Sequence, residues 1–190
     1  MWKSAGAATT SPANPELTSS CYRRYPFLAR ERTREWFREA IEPARSRFGF
    51  HLWAYVLMPE HMHLLIYPGD AADKMSQFLQ AVKEPVGRKA IAYLRAKAPT
   101  WLARLAVREG KRVRHRFWQP GGGYDRNITS SATLRSAIDY LHANPVRRGL
   151  VTQAEDWEWS SARWYAGKRP VKIEMDRSVL VELALPDDRL

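Results

Sequence analysis

The stretch from His51 to Tyr67 constrains the fold more than any other part of the chain. Aromatic and aliphatic residues run from His51 to Met58, Pro59-Glu60 interrupts them, and they resume from His61 to Tyr67 before Pro68-Gly69-Asp70 closes the block. This pattern reads as two strands joined by a tight proline-containing turn, or as a single strand bulged at that turn. In an extended strand alternate side chains share a face, so His61 and His63 project together while Met62, Leu64 and Ile66 point the other way. Two imidazoles held side by side can share one metal ion, but a catalytic site also needs further ligands and an open position for substrate. Taken alone, two histidines on a strand are more often structural.

A chain of 190 residues suits one domain with a full hydrophobic core. Hydrophobic residues make up 45% of it and aromatics 12%, which excludes a disordered polymer in spite of the high charge. Lys plus Arg exceed Asp plus Glu by 11, and arginine supplies most of the excess, so a polyanion such as nucleic acid is the natural partner. The single cysteine, Cys21, excludes an internal disulfide and a cysteine-based zinc site, and suits a reducing cytoplasm. Residues 1–16 are small, polar and proline-containing, without the pattern of a secretory signal, and read as a flexible tail. A folded domain is expected over 17–166, with an extension over 167–190. The apolar run from Ala54 to Tyr67 is broken by Pro59, Glu60 and two histidines, so no membrane span is expected.

Along the chain, Leu17 to Ala29 fits a strand entering a basic loop, and Arg32 to Arg47 has the helical period, with Gly49 beyond its end. Asp73 to Leu94 reads as a second helix that Pro85 should kink or restart. Arg95 to Arg116 is dense in positive charge, with Trp101, Leu102 and Leu105 as its few apolar anchors. Gly121-Gly122-Gly123 reads as a flexible loop. A third helix is well marked from Ser131 to Ala143, capped by Ser130 or Ser131 and stopped by Pro145. On that helix Leu134, Ala137, Ile138 and Leu141 form an apolar stripe. Tyr140 and Asn144 stack one turn apart on the border of the stripe, where a phenol and an amide can lean into a neighbouring cleft. A packed tyrosine and a helix-capping asparagine are the plainer alternative. A histidine pair for a hard divalent ion, a tyrosine with an amide one turn away and a basic surface together describe a site for phosphodiester chemistry through a phosphotyrosine.

At these residues the sequence resembles the single-tyrosine HUH transposases, and within them the REP-associated tyrosine transposases. The matching stretches are Thr18 to Arg24, Tyr55 to Leu65 with its Pro59-Glu60-His61-Met62-His63 core, Phe117 to Ile128, Ile138 to Leu150, and Trp157 to Arg163. The resemblance implies an α/β (α+β) sandwich, a central antiparallel sheet with helices packed on it, of the HUH-endonuclease, ferredoxin-like type. It implies a sequence- and structure-specific endonuclease and strand transferase for single-stranded DNA carrying hairpins, REP-like palindromes, with Mg²⁺ or Mn²⁺ as cofactor. It further implies that Tyr140 is the nucleophile, with His61 and His63 as metal ligands and Asn144 completing the site. Glu60 is the alternative third ligand, being chemically the better donor to a hard ion. Arg23, Arg24, Arg112, Arg114, Arg116 and Arg126 are candidates for DNA backbone contacts, and Trp118 and Tyr124 for base stacking. Tyr124 is also the alternative nucleophile. A cytoplasmic, nucleoid-associated protein is expected, a monomer favoured over a homodimer. Two rival readings are a domesticated hairpin-DNA binder without strand transfer and a metal-dependent RNA-processing enzyme.

Overall fold

The computed structural model describes residues 14–121, 124–128 and 130–176. Four strands form the central sheet: β1 (Asn14–Ser20), β2 (His51–Leu57), β3 (His61–Tyr67) and β6 (Tyr124–Ile128). β4 (Ala106–Glu109) and β5 (Arg112–His115) form a separate two-stranded ribbon. The helices are α1 (Glu31–Phe48), α2 (Met75–Lys97), α3 (Pro99–Arg104), α4 (Ser131–His142), α5 (Asn144–Arg147) and α6 (Ala162–Tyr165). β1 starts three residues ahead of the expected domain start, and residues 1–13 and 177–190 of the expected tail and extension lie outside the described residues.

β2 and β3 pair antiparallel from His51↔Tyr67 to Leu57↔Met62, and the Met58 N–H bonds the His61 carbonyl at 2.8 Å across Pro59-Glu60. The apolar block is therefore a hairpin. Its bulge lies in β2, between Leu52 and Ala54, away from the proline turn. β3 pairs on its other side with β1, and β1 with β6, so the sheet order is β2-β3-β1-β6 with every neighbour antiparallel. Counted along the chain, the sheet strands stand fourth, first, third, second, with α1 and α2 as the crossovers of two interleaved βαβ units. This is the ferredoxin-like arrangement, and the antiparallel sheet with packed helices is as expected from the sequence. β3, buried on both faces, is the centre of the core: Met62, Leu64, Leu65 and Ile66 are all fully buried.

α1 buries Phe37, Ala40, Ile41 and Ala44 and ends at Gly49, whose φ of 67° is the left-handed turn that glycine supplies without strain. α2 buries Phe78, Val82, Val86, Ala90 and Leu94, a stripe at four-residue steps. This helix continues through Pro85 instead of restarting there. Its buried stripe extends on both sides of the proline, so packing outweighs the roughly 3 kcal/mol cost of a proline in a helix interior. Pro85 and the internal Pro43 of α1 line the same groove between the two helices.

The basic stretch after α2 folds into α3 and the β4–β5 ribbon, which turns at Gly110 (φ 60°). Strands of four residues with arginines on them carry little apolar periodicity. Only the pairing, from Ala106↔His115 to Glu109↔Arg112, reveals them.

β2 is an edge strand of the sheet, and the aromatic segment from Trp157 to Tyr165 covers that edge. The Leu57 N–H bonds the Trp159 carbonyl at 2.8 Å, and the Ser161 N–H bonds the Tyr55 carbonyl at 2.9 Å. The Trp157 indole N–H donates to the Leu57 carbonyl at 3.1 Å, and the Tyr165 hydroxyl to the Trp53 carbonyl at 2.7 Å. α4 is capped by Ser130, whose Oγ accepts from the Thr133 N–H, and its apolar stripe packs toward β2. At its last residue the buried His142 sets Nε2 2.8 Å from Ser161 Oγ, which in turn accepts from the Tyr55 N–H at 3.0 Å. Burial holds the His142 imidazole down to about 4, so it is neutral at pH 7.

Two outcomes follow from this buried node. Ser161→Ala leaves the Tyr55 N–H and His142 Nε2 without their partner, and is expected to lower the unfolding free energy in urea by about 2 kcal/mol. His142 is neutral when folded and protonated more readily when unfolded, so its stabilisation is complete above the unfolded value near 6.5 and falls as the pH drops towards 4. Urea titrations between those limits should show a loss of up to about 3 kcal/mol from this residue, and His142→Gln should flatten that limb.

Candidate active site

His61 and His63 stand on the same face of β3, their ring centroids 4.8 Å apart and their planes at 83°. The register sets what each touches. His63 lies opposite Thr18 on β1, and its Nδ1 is 2.7 Å from the threonine hydroxyl, with a Glu16 carboxylate oxygen at 3.6 Å. That contact fixes the ring and leaves Nε2 as the nitrogen for a ligand or metal. His61 is 7% exposed, and its Nδ1 lies 3.3 Å from a Glu60 carboxylate oxygen without hydrogen-bond alignment, a buried ring nitrogen with no hydrogen-bond partner. Burial, with the neighbouring His63, lowers the His61 pKa to about 4, so at neutral pH one ring nitrogen keeps its lone pair.

Glu60 joins the strand to the tyrosine helix. Its carboxylate accepts from Arg148 Nη1 at 2.6 Å, and Arg24 Nη2 stands 3.5 Å away. Burial raises the Glu60 pKa, but the Arg148 hydrogen bond and nearby positive charges more than offset this, and the group stays below the ordinary glutamate value. Arg148 directly follows α5, which follows α4 after one residue, so this bridge ties the C-terminal end of the Tyr140 helix to the residue before His61.

Tyr140 is 48% exposed on α4, and the Arg147 guanidinium lies over its ring at 3.9 Å. Asn144 Nδ2 donates to the carbonyls of Tyr140 and Leu141 at 3.2 and 3.1 Å, and its Oδ1 accepts from Arg147 at 3.1 Å. Here the Asn144 amide closes the end of the helix. Tyr140, Asn144 and Arg147, at steps of four and three, form one stack in which Asn144 is half-buried between the two exposed side chains.

The DNA-contact candidates separate into groups. Arg23 and Arg24 are exposed on a short 3-10 turn after β1, both with positive φ (53° and 54°), and the Arg23 N–H is tied to Gln119 Oε1 at 3.3 Å. Arg112 and Arg114 lie on β5, and both Arg114 and Arg116 pair with Glu109. Trp118 is half-buried, its indole N–H donating to the Lys83 carbonyl on α2 at 2.8 Å. Tyr124 and Arg126 are in β6, but their side chains lie outside the described residues.

The two imidazoles stand side by side on one face, a donor pair that fits a divalent metal ion. Among the described residues no third His, Cys, Asp or Glu joins them in a metal-binding group. Thr18, Glu16, Arg147 and Arg148 were not singled out from the sequence. Arg147 was within reach, one turn beyond Asn144, but Thr18 and Glu16 depend on strand register and Arg148 on a contact 88 residues away in sequence.

No family model matches the chain. The proposed REP-associated tyrosine transposase of Haemophilus influenzae is 27% identical over 139 residues, 73% of this chain and 71% of that protein. The REP-associated tyrosine transposase of Escherichia coli K12 is 26% identical over 124 residues, 65% of this chain and 61% of the relative, so less than two thirds of that protein is spanned. This chain is related to the REP-associated tyrosine transposases. A solved REP-associated tyrosine transposase bound to a REP hairpin has the same fold, with a TM-score of 0.58 at 22% identity, covering 93% of this chain and 94% of the other. No helix among the described residues is long and apolar enough to cross a membrane.

The bridge between strand and helix is open to measurement. In a double-mutant cycle of Glu60→Gln and Arg148→Met, urea unfolding should give a coupling energy of about 1 kcal/mol. Half the Arg148 side chain faces solvent, which keeps the value below that of a fully buried pair. Strictly additive effects would mean that the two side chains do not act on each other.

Proposed function

We propose that this chain is a divalent-metal-dependent endonuclease and strand transferase acting on single-stranded DNA with hairpins, with Tyr140 as its nucleophile. The observation that carries the reading is the Glu60–Arg148 bridge, which couples the histidine pair on β3 to the end of the helix presenting an exposed tyrosine. The kinship with REP-associated tyrosine transposases supports the class of reaction, and the solved relative bound to a REP hairpin supports hairpin DNA as the partner.

In this reading the His61 and His63 imidazoles would hold Mg²⁺ or Mn²⁺, with Thr18 setting the His63 ring from behind. An ion held there would supply charge stabilisation to the phosphate. The Tyr140 oxygen forms a bond to phosphorus as the bond to the 3′ oxygen breaks. The phenolic proton passes to solvent and the 3′ oxygen leaves as a hydroxyl, so the 5′ phosphate stays on the tyrosine and the reverse step rejoins DNA. Arg147, lying on the phenol ring, places a cation where the phosphodiester approaches. In its capping conformation Asn144 holds Arg147 instead of the ion; a ligand role would require its amide to turn away from the helix end.

Incubation with hairpin oligonucleotides and Mn²⁺, followed by a denaturing gel, should give a covalent adduct. Tyr140→Phe should abolish it while Tyr124→Phe leaves it intact, and the reverse pattern would move the nucleophile to Tyr124. Binding of the hairpin without any adduct would favour the domesticated binder, and preference for the RNA hairpin would favour RNA processing. Thr18→Val, which frees the His63 ring, should weaken Mn²⁺ binding about tenfold by titration calorimetry.

A further inference from the structure

A cleft of about 850 Å³ lies between α2 and the segment from His115 to Gly121, on the side of the sheet away from the histidine pair. The placement follows from strand alternation. Ser20 is the register partner of His61 and shares its face, whereas the next residue, Cys21, pairs with Trp118 on the opposite face. Trp118 lines the cleft, and its bond to the Lys83 carbonyl fixes the indole plane. Leu79 and Ile91 of α2 add apolar lining.

The Lys83 ammonium stands 5.8 Å from the Trp118 ring centroid, and burial lowers its pKa. No carboxylate lies within ion-pair distance of Lys83 among the described residues. Glu84, the acid that lines the cleft, is taken by Arg88 at 3.2 Å. Arg95, on the same wall, is exposed and likewise has no acid partner among the described residues. An unpaired, partly buried cation beside an oriented indole lacks a counter-ion, and the ligand that supplies both a flat ring and an anion is a nucleotide.

We propose that this cleft binds one unpaired nucleotide of single-stranded DNA, its base against Trp118 and its phosphate between Lys83 and Arg95. The choice of DNA rests on the function proposed above; the nucleotide chemistry rests on the cleft. The Gln119 N–H bonds the Ser20 carbonyl at 2.8 Å, so the end of the Trp118 segment lies two strand spacings, roughly 10 Å, from the His61 backbone. A strand anchored in the cleft can therefore pass around the sheet end to the histidine pair, which makes the cleft a recognition subsite separate from the point of cutting.

The test uses the full chain carrying Tyr140→Phe, so that binding is read without strand cleavage. A short oligothymidylate with one 5-iodouracil is irradiated with the protein, and the cross-linked peptide is mapped by mass spectrometry. A cross-link at Trp118, with affinity about tenfold weaker in Lys83→Gln/Arg95→Gln, is expected. Both substitutions leave the Trp118 bond to the Lys83 backbone in place, so far-ultraviolet circular dichroism should be unchanged. No cross-link in the segment from Phe117 to Gly121, or unaltered affinity in the double variant, would overturn the proposal, and tighter binding of oligouridylate would overturn the choice of DNA. A cross-link obtained where the unsubstituted chain forms no adduct would leave the cleft standing and remove the strand transferase. An adduct without the cross-link would do the opposite.

Discussion

Three distant segments converge on Glu60. Its backbone carbonyl accepts the Cys21 N–H at 2.8 Å, where β1 ends, and its side chain accepts from Arg148 beyond the tyrosine helix, while its position in the β2–β3 turn places it directly before His61. A carboxylate only 7% exposed is costly to bury, and it remains ionised because guanidinium groups face it. This charged junction adds to the packing of α4 toward β2 and the His142–Ser161–Tyr55 node in fixing the tyrosine helix relative to the histidine pair. Such a junction sets geometry more than it adds stability, since an apolar replacement of the same shape satisfies burial equally well.

The sheet divides the labour of the molecule. One face carries the histidine pair with Thr18 and Glu16 behind it, and the other packs against α2 and Trp118. A rigid antiparallel sheet holds both faces in fixed relation, so the distance between the histidine pair and the Trp118 segment is set by strand spacing.

Much of this was legible in the sequence, and the reasons are specific. The hairpin from His51 to Tyr67, the common face of His61 and His63, and the helix from Ser131 all come from local periodicity and punctuation, which act over a few residues. Of the two expectations for Pro85, a kink or a restart, the restart does not occur, because the tertiary burial of Phe78 to Leu94 outweighs the local rule about proline. The β4–β5 ribbon escaped because its strands are short and charged. Glu60 was the alternative third ligand on its chemistry alone, and its arginine partners were not visible locally because they come from segments 36 and 88 residues away in sequence. Asn144 was expected to complete the metal site, with helix capping as the plainer alternative, and its hydrogen bonds to the Tyr140 and Leu141 carbonyls are those of a cap.

The covering of β2 by the segment around Trp159 has a consequence for how the chain is made. β2 leaves the ribosome about a hundred residues ahead of the segment that occupies its free hydrogen-bonding edge. Until Trp159 and Ser161 arrive, a long apolar strand presents unpaired N–H and C=O groups, the surface on which chains aggregate edge to edge. Closing that edge needs a contact between parts of the chain about a hundred residues apart, so β2 stays open to edge-to-edge pairing until the later segment arrives.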